Sequence, residues 1–213
     1  MRIINVMASS LNGRIGGSSL EGDKKRVDSG LSSSEDQEHL KDQISQCDAV
    51  IVGASSIRAN GRCIAEPKRA GGFPAWYVLS QSPLPLDIEF WRQNDVPRIM
   101  CSHQPLPLGP AATGNIATLA ARSDDDLIAR ILEDAQRRHF SRLLLFGGGR
   151  INKLFYDRNL VDELWLTLAP LYIRKAQTPE LIDPTGGNDV KFRLISSHQR
   201  KSYVFLNYEV LKN

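Results

Sequence analysis

LLLFGGGRINKLFYDRNL, residues 143–160, runs from three leucines and a phenylalanine into three glycines and then into an amphipathic pattern. The apolar run reads as a buried strand, RLLLF, and Ile151, Leu154 and Phe155 recur at helical spacing after the glycines. A strand that passes through glycines directly into a helix is the basic joint of an α/β fold. At such a joint the first helical amides lack partners and the macrodipole adds partial positive charge, so an anion can bind there. Gly147, Gly148 and Gly149 would let backbone approach a phosphate oxygen, and Arg150 adds a side-chain donor. The pattern is neither G-x-G-x-x-G after the first strand nor the Walker sequence, and a tight turn without ligand satisfies it equally well.

Upstream of this joint, DAVIVGA at 48–54 is a β-branched run closed by glycine, the pattern of a strand buried on both faces of a parallel sheet. Gly53, Ser55 and Ser56 follow its carboxyl end, where α/β sheets place ligands; the two hydroxyls would equally serve as helix caps. If the two strands are neighbours, their ends open onto a shared crevice. RIINVMA at 2–8 reads as a first strand, and AWYVLS and RIMCS as two more after Pro74 and Pro97. The stretch from 103 to 118 reads as a loop of no definite shape.

Ser34 with Gln37 predicts a capping box for a helix carrying Leu40 and Ile44, and Ser123 with Asp126 predicts another. Leu127, Ile128, Ile131, Leu132 and Ala135 share one face of the latter helix. DELWLTLAP alternates, with Leu164, Leu166 and Leu168 on one side, and FRLISSHQRKSYVFLNYEV reads as strand, polar turn, strand. The expected architecture is α/β, with a mixed, mainly parallel central sheet flanked by helices and a C-terminal antiparallel hairpin, all in one domain over residues 1–213.

The 213 residues carry a net charge of +3, with the basic residues dispersed instead of gathered in one run. Lys24, Lys25 and Arg26 lack the interleaved aromatics of single-strand binders, so no nucleic-acid partner is expected. Cys47, Cys63 and Cys101 have no metal-type spacing, no histidine joins a nucleophile motif, and the H-x-E and P-C-x-x-C signature of zinc deaminases is missing. Metal-dependent hydrolysis and acyl transfer are thereby disfavoured. No stretch is long and apolar enough for a membrane span, and a cytoplasmic protein is expected.

The order ASSLNGRIG, DAVIVGASSIRANGR and LLLFGGGRINKLFYDRNLVDELWLTLAP resembles the reductase domain of the bifunctional riboflavin-biosynthesis deaminase/reductase, a domain of dihydrofolate-reductase-like fold. The resemblance covers about residues 2–210 and is weakest between 62 and 122. It implies a stand-alone homodimeric reductase without a deaminase half, passing a hydride from NADPH to a phosphoribosylamino-pyrimidine or a related flat heterocycle. It also places Gly147–Gly149 at the cofactor phosphates and Ser56 at a threonine that binds cofactor. Ser80 and Ser82 in VLSQS are more loosely matched to the adenosine ribose or its 2′-phosphate.

The departures fall on the substrate side. Asn12 stands where the family usually has aspartate, Asn60 where it has an acidic residue, Phe146 where a glutamate introduces the glycines, and Ile44 where an arginine is usual. Neutral residues at such positions remove acceptors on which selectivity depends, while Phe146 offers a ring to stack on a heterocycle. Asn12, Asn60 and Phe146 are the candidate substrate contacts. No residue stands out as the catalytic acid.

Overall fold

The computed structural model describes residues 1–18, 21–109, 112, 114–175 and 177–212. It divides into two compact units, one built from Met1 and residues 41–144, the other from residues 2–40 and 145–213.

The first unit is an α/β layer whose strands are β2 (Ala49–Gly53), β3 (Ala75–Leu79), β4 (Arg98–Ser102), β5 (Ile116–Ala120) and β6 (Arg142–Leu145), in the order β5-β4-β3-β2-β6. β2 to β5 are parallel, with Ala49 opposite Ala75 and Trp76 opposite Arg98. Every residue of β2, β3 and β4 is buried, which is why their sequences are unbroken apolar runs instead of alternating ones. The expected strands at 48–54, 75–80 and 98–102 are present. β5 is a correction: it begins inside the span read as shapeless loop and runs two residues past it. IATLA sits at the sheet edge with no residue fully buried, so its side chains carry no strong apolar signal.

β2 leads through Gly53 into helix α3 (Ala54–Asn60), and α4 (Asp124–Arg137) precedes β6. In α4 the Asp126 amide donates to the Ser123 hydroxyl at 3.2 Å, while the Asp126 carboxylate accepts from Arg122 N–H at 2.8 Å. The capping box is therefore formed, its return bond reaching one residue before the cap. Leu127, Ile128, Ile131 and Ala135 are buried as expected, each large side chain contributing about 1.5–3 kcal/mol, and Leu132 is half-buried.

The turn from α4 into β6 is held by Asp48, just before β2. Its Oδ2 accepts from Ser141 N (2.7 Å), Ser141 Oγ (3.0 Å) and Arg142 N (3.0 Å). Burial pushes this carboxyl's pKa up, but the three donated bonds outweigh that and hold it below the usual carboxylate value. A depressed carboxylate stabilises the fold above its unfolded pKa, and that contribution is lost as pH falls below about 4. Asp48→Ala is expected to cost about 1–2 kcal/mol, a Tm lower by about 3–6 °C at neutral pH. The difference from the parent should shrink on titration toward pH 3 in thermal melts.

The second unit contains β1 (Arg2–Ser9), β7 (Glu163–Leu168), β8 (Lys191–Arg200) and β9 (Tyr203–Leu211), in the order β1-β7-β9-β8. β1 and β7 are parallel, and β7-β9-β8 are antiparallel, so the hairpin closes the chain as expected. Its turn places Lys201 at φ 53°, the left-handed conformation that tight hairpins require.

β7 departs from simple alternation: Leu164 and Thr167 are buried, whereas Leu166 and Leu168 are half-buried. Trp165, on the face expected to be polar, stacks on His39 at 5.5 Å, so both faces of this strand are partly covered. Two further corrections fall on the N-terminal helices. A short helix α1 (Asp23–Asp28) lies in the expected loop and buries no residue, which leaves no periodicity to read. Helix α2 (Ser34–Ser45) is capped by Ser33, whose hydroxyl accepts from Asp36 N–H, so the box sits one residue earlier than Ser34.

Candidate functional site

In the second unit, Phe146 and the glycines connect β6 to helix α5 (Gly149–Tyr156). The protein itself accounts for two of the three glycines. A Cβ on Gly147 would lie 2.4 Å from Asn152 Oδ1, and one on Gly149 would lie 2.3 Å from the Glu180 carbonyl oxygen. Gly148 differs: its φ of 82° needs glycine, yet no other side chain or distant backbone atom of the described residues lies within 4 Å of the place a Cβ would take.

Asn152 explains the first close approach. It is fully buried on the inner face of α5, donates to Leu181 O at 2.7 Å, and accepts from the Asn5 amide at 3.2 Å. Asn5 also donates to Leu145 O at 2.9 Å, and Tyr156 OH donates to Asn5 Oδ1 at 3.2 Å. The sequence marks Ile151, Leu154 and Phe155 as the apolar positions of α5. Instead Phe155 shares the buried face with Asn152 and Tyr156, and Ile151 and Leu154 are half-buried. A buried asparagine is tolerated because all its polar atoms find partners.

The same turn also offers donors. Among the described residues the amides of Gly148, Gly149 and Arg150 have no acceptor, as at any uncapped helix start. Arg150 is exposed. Nearby, hydrogen bonds from the Thr185 hydroxyl and amide hold the Asp183 carboxyl below its usual pKa, with Lys153 and Arg150 adding to the effect. Phe146 is half-buried between strand and turn.

Asn12 is engaged by its own loop. Its Oδ1 accepts from Ser10 Oγ (2.9 Å) and Ile173 N (3.1 Å), and its Nδ2 donates to Ile173 O (2.9 Å). An aspartate could take the first two bonds but not the third, so the amide here ties residues 10–14 to the segment after β7.

In the first unit, Gly53 is extended and precedes α3 without any side-chain cap. Ser55 and Ser56 are therefore not helix caps: they lie half-buried in the first turn, and among the described residues neither hydroxyl makes a hydrogen bond. Asn60 ends the helix, before Gly61 at φ 72°. Ile44 is fully buried, a core position where an arginine would need compensation.

Ser80 and Ser82 do come together at the end of β3, and they meet a residue the sequence did not single out. Arg58 Nη2 donates to Ser82 Oγ (2.7 Å), Ser82 O (2.8 Å), Ser80 Oγ (3.1 Å) and Pro83 O (3.2 Å). The signal available was its position, five residues beyond Gly53 on a helix leaving a strand's carboxyl end.

Among the described residues no cluster of three His, Cys, Asp or Glu is placed to hold a metal, and no helix is long and apolar enough to cross a membrane. All three cysteines are buried, and desolvation pushes their thiols up, Cys47 to about 12, so none is a nucleophile at neutral pH. The small cleft between Tyr156, Asp157, Asp189 and Val210 contains none of the candidate residues.

A mainly parallel set of strands with a glycine turn after β6 and a serine–arginine loop after β3, together with an antiparallel C-terminal hairpin, defines an α/β protein of the dihydrofolate-reductase-like fold class. The pyrimidine reductase-like protein of Corynebacterium diphtheriae superposes with a TM-score of 0.79 at 16% identity, over 100% of this chain and 92% of that one. A riboflavin biosynthesis reductase of Saccharomyces cerevisiae gives 0.69 at 14% identity, over 99% and 90%. The deaminase/reductase of Thermotoga maritima gives 0.72 at 16% identity; this chain spans 56% of its length. In sequence, 191 residues are 24% identical to the 2,5-diamino-6-ribosylamino-4(3H)-pyrimidinone 5′-phosphate reductase of Aquifex aeolicus, covering 85% of this chain and 84% of that protein. The RibD C-terminal domain family matches residues 2–206, and the chain belongs to it.

Proposed function

We propose that this chain is an NADPH-dependent reductase acting on a phosphorylated ribosylamino-pyrimidine of riboflavin biosynthesis. The family match over residues 2–206 carries the reading, and the curated relative from Aquifex is a reductase of such a compound. The residues present fit a phosphate-bearing nicotinamide cofactor. Among the described residues, Gly148 leaves open space beside amides without acceptors, Ser55 and Ser56 keep their hydroxyls unbonded, and the Arg58 guanidinium faces only neutral oxygens.

In the second unit Gly148, Gly149 and Arg150 would hold cofactor phosphate, and in the first unit Gly53, Ser55, Ser56, Ser80 and Ser82 would offer cofactor contacts. When bound, the cofactor supplies a hydride; the chain's part is to hold donor and acceptor in register, an effect worth about 7 kcal/mol or more when the geometry is right. The candidate heterocycle contacts are Phe146 in the second unit and Asn60 in the first, whereas Asn12, whose amide is engaged with Ile173, would shape its own loop. The protein is taken to act as a homodimer; the β8 edge, with Leu194 and Ile195 exposed, is compatible with a second copy.

The test is a purified-enzyme assay following nicotinamide absorbance. NADPH oxidation is expected with 2,5-diamino-6-ribosylamino-4(3H)-pyrimidinone 5′-phosphate or with 5-amino-6-(5-phosphoribosylamino)uracil, and not in the absence of a pyrimidine. A second reading, a dinucleotide-binding homologue without turnover, is favoured by the neutral Asn60, Phe146 and core-buried Ile44. Tight NADPH binding with no oxidation on either pyrimidine would select it.

A further inference from the structure

We propose that Asn152 is a positioning residue for the glycine turn: without reaching a ligand itself, it sets both walls of the turn at Gly147–Gly149, a role that deepens the reductase reading above and rests on it. Glycines at φ 38° and 82° are not held there by their own chemistry, because a chain without Cβ atoms visits many conformations and a phosphate site needs one of them. Asn152 selects it. Its backbone N–H donates to Gly148 O at 2.9 Å, and its side-chain Oδ1 lies so close to Gly147 that a Cβ there would overlap it. The opposite wall is the segment 178–183. Glu180 O lies against Gly149 in the same way, and Asp183 N–H donates to Gly149 O at 3.1 Å. Asn152 holds that segment too, since its Nδ2 donates to Leu181 O at 2.7 Å. One side chain therefore presses on the turn from one side and carries, at its other end, the segment that presses from the other.

The orientation of this amide is itself fixed from behind. Asn5, fully buried on β1, donates through Nδ2 to Asn152 Oδ1 at 3.2 Å and to Leu145 O at 2.9 Å, and its own Oδ1 accepts from Tyr156 OH at 3.2 Å. With Oδ1 taken by the Asn5 donor, Nδ2 of Asn152 is left facing Leu181, and a flip would unmake both bonds. A buried chain of satisfied polar groups specifies a single arrangement where an apolar contact would tolerate several. Asn152 is the point at which that chain meets the turn, the first turn of α5 and the segment 178–183.

Calorimetry with NADPH and steady-state kinetics with 5-amino-6-(5-phosphoribosylamino)uracil, both on the full chain, test this role. Asn152→Leu keeps the volume and removes both side-chain hydrogen bonds. Phe155→Leu, at another fully buried position of the same helix, disturbs the core and leaves those bonds in place. Both substitutions should lower Tm. Asn152→Leu should also raise the dissociation constant and the KM for NADPH about tenfold, the scale of a lost hydrogen bond to a charged group, with kcat and the pyrimidine's KM within about twofold of the parent. Phe155→Leu should leave both NADPH constants unchanged, although its fold is weakened. If Asn152→Leu does not fold, Asn152→Ser, too short to reach Leu181 O, takes its place with the same expectation. Unchanged NADPH affinity in the folded Asn152 variant, an equal loss in Phe155→Leu, or a fall in kcat with KM unmoved would each overturn the assignment. NADPH binding that depends on Asn152 in a chain that oxidises no NADPH refutes the reductase reading and keeps the role of Asn152. Turnover with a KM that ignores Asn152 refutes only that role, and a parent that binds no NADPH overturns both.

Discussion

Gly149→Ala is expected to destabilise the protein by about 3 kcal/mol, lowering Tm by roughly 6–12 °C in a chain of this length. The added methyl would stand 2.3 Å from the Glu180 carbonyl oxygen, which is backbone and cannot rotate away. Nor is that segment free to retreat. Ile15 N–H donates to Pro179 O, Leu181 N–H to Gly13 O and Asp183 N–H to Gly149 O, so residues 178–183 are pinned from both sides. Gly148→Ala makes the instructive contrast, since open space surrounds its Cβ position and only the φ of 82° resists, at about 1–3 kcal/mol. In calorimetry Gly149→Ala should lose more stability, whereas Gly148→Ala should lose more dinucleotide affinity relative to its stability. Equal stability losses would mean that the strap at 178–183 yields, and the packing account of Gly149 would fail.

That contrast also shows what was readable in the chain. LLLFGGGR announced a strand, a turn and a helix, and all three are there, because apolar continuity and glycine act within a few residues. Why the glycines are needed was not readable. The atoms that exclude a side chain at Gly147 and Gly149 belong to Asn152 and Glu180, and the latter reaches the turn only after the 30 residues between Gly149 and Glu180 have folded back. The same limit hid Arg58, whose position on α3 was visible but whose partners Ser80 and Ser82 come from the end of another strand. Asn12 shows the reverse case: a residue that stood out by its place in a motif proves to bond backbone at Ile173. β5 and α1 escaped because an exposed edge strand and a helix with no buried face satisfy their backbones without an apolar pattern.

Arg98→Ala is the second large effect, with an expected cost of about 4 kcal/mol. Arg98 opens β4 with 1% of its surface exposed, the sole charged side chain among the largest fully buried ones described. Its Nε donates to Val96 O at 3.0 Å, its Nη1 donates to Phe90 O, and the guanidinium lies 5.5 Å from the Phe90 ring centroid. Burial lowers its pKa, yet an arginine has far to fall before losing its charge at neutral pH. Truncation removes a large buried volume and leaves two carbonyls without these donors, two costs that add. Arg98→Lys should recover about half, because one ammonium can reach one carbonyl but cannot reproduce the fork. The damage should also be local. Phe90 N–H donates to Gly61 O, Gln93 exchanges two hydrogen bonds with Cys63, Trp91 Nε1 donates to Pro85 O, and Arg58 holds Ser82 and Pro83. The irregular segment from 80 to 97 is thus fastened to α3 at one end and to Arg98 at the other. Limited proteolysis of Arg98→Ala should cut first within this segment, and the parent should resist there. If cleavage instead spreads evenly over the chain, Arg98 supports the whole unit, and its role as a local clamp is wrong.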